Sequence, residues 1–224
     1  MGSQAFGIEP AVVATVAEEI ASVHRLGVQI AVVVGGGNII RGVSAHEQGI
    51  DRVTGDSMGM LATVINALAL SSAVEQLEIS TRVQTAIEMH QVAEPFIRRR
   101  AIRHLEKGRI VVFAGGTGSP FFTTDTAAAL RASEIDADLL IKATKVDGVY
   151  SADPEKDPRA ELIPRLSYQE VLTRDLRVMD AAAISLCKES SIPVQIVNIS
   201  KPDAMQRVVL GDNVGSWVGP EEAV

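Results

Sequence analysis

The 224-residue chain is 46% hydrophobic but only 4% aromatic, a balance that suits a Val/Ile/Leu/Ala core around a parallel sheet. Its net charge of −7 argues against a dominant basic, nucleic-acid-binding face. A single cysteine, Cys187, excludes an intramolecular disulfide. With no signal peptide and no apolar run near the roughly 20 residues that span a bilayer, the expectation is a soluble cytoplasmic protein with no membrane or nucleic-acid partner.

In chain order, residues 1–7 read as loop, and Pro10 fits a first helical position. Val13, Val16, Ile20 and Val23 recur at helical spacing, and Gly27 is a natural stop. Val28 to Val34 is a β-branched run, expected as a buried strand. It leads into Gly35-Gly-Gly-Asn-Ile-Ile-Arg-Gly42, where glycines permit close backbone approach and Arg41 offers a fork for phosphate. The loop matches neither the dinucleotide fingerprint nor a Walker loop, and by itself it is equally a flexible turn.

Gly55 is expected to open a helix running to about Glu78, with Asp56 as its cap and Met58 and Met60 in the core. Thr81 to Ala86 reads as a strand and Glu94 to Lys107 as a helix. That helix carries Arg98, Arg99, Arg100 and Arg103, with Arg109 just beyond. The arginines form either a solvated or subunit-facing surface or a second site for an anionic ligand.

Ile110 to Phe113 is an apolar strand that enters Ala114-Gly-Gly-Thr-Gly-Ser-Pro-Phe-Phe-Thr-Thr-Asp125 and then an Ala-rich helix to Ile135. Strand, glycine-rich loop and helix N-terminus form an anion cradle, with Thr123 and Thr124 as candidate caps. Asp125 would repel a phosphate there unless a cation lies between them, which points to a phosphorylated ligand with Mg2+. The plain alternative is an ordinary capped strand-to-helix turn.

Asp138 to Ile141 is expected as a strand, followed by a long loop from Lys142 to Pro154. Tyr150 there either stacks on a base or anchors the loop. Helices are expected at Ser167–Thr173, Val178–Ser190 and from Lys201 towards Gly211. Pro193 to Val197 reads as a strand and Ser216 to Val218 as an edge strand. Alternating strands and helices define an α/β class with a mostly parallel sheet. The chain is read as one domain, 1–224. His24, His46, His90 and His104 are scattered and give no metal-ligand spacing.

Together, the Gly-Gly-Gly-Asn loop with Arg41, Gly55-Asp-Ser-Met-Gly-Met-Leu61, Gly116-Thr-Gly-Ser-Pro-Phe-Phe-Thr-Thr-Asp125 and Lys142-Ala-Thr-Lys-Val-Asp-Gly-Val-Tyr-Ser-Ala-Asp-Pro154 closely resemble the bacterial uridylate (UMP) kinases of the amino-acid kinase superfamily. The resemblance runs from Gly2 to about Val218. It implies a three-layer αβα sandwich and ATP-dependent phosphorylation of UMP in pyrimidine nucleotide biosynthesis. The superfamily leaves two alternatives, an amino-acid or carbamate kinase and a catalytically impaired nucleotide-binding subunit.

By that resemblance, UMP is expected on Gly36, Asp56, Thr117, Gly118, Ser119, Pro120, Phe121, Phe122, Thr123 and Thr124. ATP is expected on Gly37, Arg41, Thr144, Tyr150 and Asp153. Arg41, Asp125, Lys142 and Asp180 would form the catalytic set, with Asp125 organising Mg2+. Gly2, Ser3, Gln4, Ala5, Phe6 and Gly7, with Arg103 and Arg109, match parts linked to GTP activation. Family members are homohexamers inhibited by UTP. Two departures accompany the match. Ser119 stands where many members carry Asn. The family's first strand, with its Lys-x-Ser/Gly-Gly-Glu turn, has no counterpart here, so the domain is expected to be truncated at its N-terminus.

Overall fold

Two four-stranded sheets organise the protein, seen here in a computed structural model that describes residues 7–40, 49–152, 157, 159–176 and 179–221. The chain divides into two compact units, Met1–Ala127 and Ala128–Val224.

The first unit begins with α1 (Pro10–His24), which has Pro at its start and buries Ala17, Ile20, Ala21 and Val23. Val13 and Val16 are half-buried beside them. β1 is only Ala31–Val33, shorter than the apolar run around it. Next come α2 (Arg52–Glu75), β2 (Thr81–Thr85), β3 (Glu94–Pro95), α3 (Arg98–Glu106) and β4 (Ile110–Ala114). The sheet order is β1-β4-β2-β3, with every pairing parallel. β4 is central and all five of its residues are buried, which explains its unbroken apolar sequence.

Several expectations for this unit need correcting. α2 starts three residues before Gly55, because Asp51 is its cap and accepts the Thr54 amide at 3.0 Å. Asp56 therefore lies inside the helix. Met58 is exposed rather than core. Glu94 is not helical, since the residue before a proline is pushed towards extended backbone, and α3 begins only at Arg98. α2 is also long and apolar enough to cross a membrane by length and composition, an apolar stretch that the sequence reading did not register. In this fold it packs on α1, β2 and β4.

The boundary between the units falls within α4 (Thr124–Glu134). The second unit continues with β5 (Leu140–Thr144), β6 (Val149–Tyr150), β7 (Leu162–Ile163), β8 (Arg165–Ser167), α5 (Tyr168–Thr173), α6 (Ala181–Glu189), β9 (Val194–Asn198), α7 (Ala204–Val209) and β10 (Ser216–Gly219). The sheet order is β5-β9-β10-β8, and only the β9–β10 pairing is antiparallel. β10 is therefore internal and not an edge strand, because the three-residue β8 pairs along its far side. β6 and β7 form a separate antiparallel pair inside what reads as loop. The α/β class with mostly parallel strands is as expected.

The second unit's core gathers Leu166, Tyr168, Ile184, Cys187, Val194, Ile196 and Val218. α5 opens with a capping box between Ser167 and Glu170. Burial pushes the Cys187 thiol up to about 11. Burial, and then the Cys187 charge, push Tyr168 up to about 12. The Tyr168 hydroxyl donates to the Ile192 carbonyl at 2.6 Å. Both groups hold their protons more tightly folded than unfolded. Their stabilising contribution is complete below the ordinary thiol value of 9.0 and is lost as pH rises towards about 11 and 12. Urea unfolding midpoints should therefore fall from about pH 9 upward. Cys187 should resist a thiol reagent at neutral pH until the protein unfolds, and rapid labelling of the native protein would contradict this burial.

Candidate functional site

In the first unit, the loop leaving β1 lies directly on α2. A Cβ at Gly36 would sit 2.4 Å from the Gly59 carbonyl oxygen and 2.9 Å from Ala62 Cβ, so only glycine fits without backbone movement. Asn38 and Asn66 form a reciprocal amide pair, at 3.1 and 2.6 Å, and the Asn66 amide also donates to the Gly35 carbonyl at 2.7 Å. Asn66 carried no signal in the sequence beyond being an amide within an apolar helix. Gly7 joins the same loop: its N–H donates to the Asn38 carbonyl at 2.7 Å, and its carbonyl accepts from Asn38 Nδ2 at 2.9 Å.

The loop leaving β4 is held by the same helix. Thr63 Oγ1 accepts the Gly115 N–H at 2.7 Å. Gly115 has φ +77°, and a Cβ there would come within 2.8 Å of Thr85 Oγ1. Thr117 Oγ1 accepts the Ser119 N–H at 3.2 Å, closing a local turn. Asp56 Oδ2 accepts the Phe121 N–H at 2.8 Å. Phe121 and Phe122 are 63% and 55% exposed, unusual for phenylalanines, and their rings are available for contact. Thr123, not Thr124, caps α4: its Oγ1 accepts the Asp125 and Thr126 N–H groups at 3.1 and 3.2 Å. Asp125 lies in the first turn of α4. Thr124 Oγ1 would be only 3.4 Å from a Cβ on Gly35. Gly36, Gly37 and Thr117 to Thr123 thus belong to two strand-exit loops that both rest on α2, which carries Asp56, and the second loop leads into the α4 start with Thr124 and Asp125.

In the second unit, Lys142 and Thr144 lie on β5 itself, since that strand runs three residues beyond Ile141. Thr144 Oγ1 accepts the Val146 N–H at 2.9 Å, turning the chain at the strand's end. Asp147 then bonds Lys201 Nζ at 2.8 Å and Asn198 Nδ2 at 2.9 Å. The Lys201 hydrogen bond and then that of Asn198 hold its carboxyl below the ordinary value. Tyr150 is on β6. Asp180 caps α6 by accepting the Ala183 N–H at 2.8 Å. The expected site residues Gly2, Ser3, Gln4, Ala5, Phe6, Arg41 and Asp153 lie outside the described residues.

The arginine-rich helix is tied to the sheet edge. Arg109 donates to His104 Nδ1 at 3.0 Å, so that nitrogen is the acceptor and the Nε2 proton faces Glu94 at 3.1 Å. Burial works to raise the Glu94 carboxyl, but hydrogen bonds from buried Gln84 and from His104 outweigh it and hold it below its ordinary value. Arg103 is exposed and lies 3.6 Å from Glu106.

Parallel strands that open into glycine-rich loops, one of them leading to a capped helix start, define a protein of the α/β class. Residues 1–198 match the amino acid kinase family, and the chain belongs to that family. Among solved structures, it is similar to UMP kinase from Bacillus anthracis, with a TM-score of 0.96 and 38% identity over 99% of this chain and 92% of that one. UMP kinase from Ureaplasma parvum follows at TM-score 0.92 and 35% identity, covering 98% and 93%. Uridylate kinase from Archaeoglobus fulgidus matches at TM-score 0.74 and 34% identity, covering 94% of each chain.

Gly36→Ala should lower stability by about 1–3 kcal/mol, because the new methyl meets backbone that cannot rotate away. Chemical denaturation would measure it, and an unchanged midpoint would show that the loop does not rest on α2.

Proposed function

We propose that this protein is a UMP kinase, moving the γ-phosphoryl group of ATP to the 5′-phosphate of UMP to give UDP and ADP. The observation that carries the reading is the 115–125 loop. It joins a buried parallel strand to a capped helix start, exposes two phenylalanines, and is tied to Asp56 through Phe121. Identity of 38% to a UMP kinase over 99% of the chain supports the choice of acceptor.

In this reading Gly36, Asp56 and Thr117 to Thr124 hold UMP, while Gly37, Arg41, Thr144, Tyr150 and Asp153 hold ATP. Arg41, Lys142 and the loop amides offset phosphate charge, and Asp180 keeps the start of α6 in place. The attacking phosphate oxygen is already an anion at neutral pH, so no general base is needed. Catalysis is positioning and charge neutralisation. His24 and His104 fit this scheme, since both ring systems are engaged in structural hydrogen bonds.

The donor set suits Mg2+ brought in on nucleotide phosphates. Mg2+ takes one or two carboxylates plus phosphate oxygens, and Asp125 at the start of α4 supplies one. When bound, the ion would neutralise charge between the phosphates. A coupled assay of ADP release should show ATP-dependent turnover with UMP well above that with CMP, glutamate or carbamate. Equal or faster turnover with any of those three would overturn the reading.

The same proposal makes the enzyme a cytoplasmic homohexamer of pyrimidine nucleotide synthesis, activated by GTP and inhibited by UTP. Self-association is supported by an exposed apolar stripe on α2, formed by Met58, Leu61, Ile65 and Leu68. An anionic effector would find an exposed cation in Arg103 of the arginine-rich helix. Arg103→Ala should blunt GTP activation severalfold and leave the rate without GTP within about twofold. An unchanged GTP response would remove Arg103 from the effector site.

A further inference from the structure

Arg52 occupies a position that helix stability does not favour. It is the first residue of α2, where the helix dipole disfavours a cation, and the first turn carries no acidic residue. Its ion pair with Asp56, 2.8 Å from Nε to Oδ2, runs basic to acidic at i,i+4, the weaker order for such pairs. The contact is better explained by what it does outside the helix. The same Asp56 oxygen accepts the Phe121 N–H at 2.8 Å, and the Arg52 guanidinium lies 5.7 Å from the centre of the Phe121 ring. Phe121 has φ +73°, a left-handed conformation that a bulky residue avoids and that persists only when its surroundings impose it. Arg52 is half-exposed at 51%, whereas the Asp56 carboxylate is shielded at 15%, so the carboxylate is the anchor and the arginine closes over it.

We propose that Arg52 is a positioning residue for the acceptor loop. Through Asp56 it fixes the backbone of Phe121, and across the Phe121 ring it fixes the aromatic face, so that the loop is formed before the acceptor nucleotide arrives. Binding then bears less of the cost of ordering that segment. Arg52 thereby sets acceptor affinity while leaving the phosphoryl-transfer step nearly alone. The inference deepens the UMP kinase reading and rests on it for the identity of the acceptor.

The test uses the full chain and two readouts. In steady-state kinetics, Arg52→Ala should raise KM for UMP about tenfold, with kcat changed less than about threefold and KM for ATP unmoved. Arg52→Lys, which keeps the charge but loses the planar fork, should fall between. Phe121→Gly removes the strained φ and the ring together, so adding Arg52→Ala in that background should change KM for UMP less than in the parent. In the nucleotide-free protein, hydrogen exchange of the Phe121 amide should be faster in Arg52→Ala. Unchanged exchange, or a KM effect equally large in both backgrounds, would overturn the proposal. Faster exchange in a protein that does not phosphorylate UMP would instead reject the UMP reading and keep the loop-positioning role.

Discussion

The first unit depends on one face of α2. Asp56, Gly59, Thr63 and Asn66 recur at three- and four-residue spacing, which places them on one side of a helix. Each meets a strand-exit loop: Gly59 lies under Gly36, Asn66 holds Gly35 and Asn38, Thr63 holds Gly115 and Asp56 holds Phe121. The loops approach closely because the helix presents small or hydrogen-bonding groups there and not bulk. The cost appears on the opposite side, where Met58, Leu61, Ile65 and Leu68 are exposed. The usual amphipathic order is thus partly inverted, and that inversion explains why a helix of a compact unit also passes for a membrane span by composition.

This arrangement also bears on Asp125. A carboxylate in the first turn of α4 is favourable to the helix, since it faces the positive end of the dipole. The same carboxylate is unfavourable to any phosphate held by that helix start. In the proposed reading a cation accompanying the phosphate would reconcile the two, so the residue that stabilises the unliganded helix would also favour a metal-bearing nucleotide. Thr123 completes the cap with a neutral hydroxyl and adds no further negative charge.

Much of this was legible in the sequence, and the misses have physical causes. β4, its glycine-rich loop and α4 were readable because a buried central strand is uniformly apolar and the loop is bounded by turn residues. The start of α2 was misplaced because Asp51 and Asp56 are equally good caps on paper. Only the Thr54 amide, bound to Asp51, separates them. Pro95 did carry the signal that Glu94 is extended, but the arginine run beyond it looked like a longer helix. β6, β7 and β8 are two or three residues long, too short for a period to declare itself. The internal position of β10 depends on pairing with Val194 to Ile196, about which its own four residues say nothing. Around the strand-exit loops, the glycines, threonines and carboxylates are visible in the sequence, but Arg52, Thr63 and Asn66, which hold the loops, are not. Their function lies in contacts across the sequence.

The second unit uses a related solution with different residues. The turn after β5 is fixed by Thr144, and Asp147 is then drawn to Asn198 and Lys201 beyond the end of β9. Ser216 on β10 accepts the Val149 N–H and donates to the Ile163 carbonyl, joining the β6–β7 pair to the sheet. In both units, loops at strand ends are held by hydroxyls, amides or a locally neutral ion pair. A loop fixed by an unbalanced charge would alter the potential seen by a phosphate within a Debye length, about 8 Å at physiological salt. Holding the loops with neutral groups avoids adding an unbalanced charge of their own near a bound phosphate. Arg52 fits the same logic, because its charge is balanced within the helix by Asp56 and what reaches the loop is a fixed geometry.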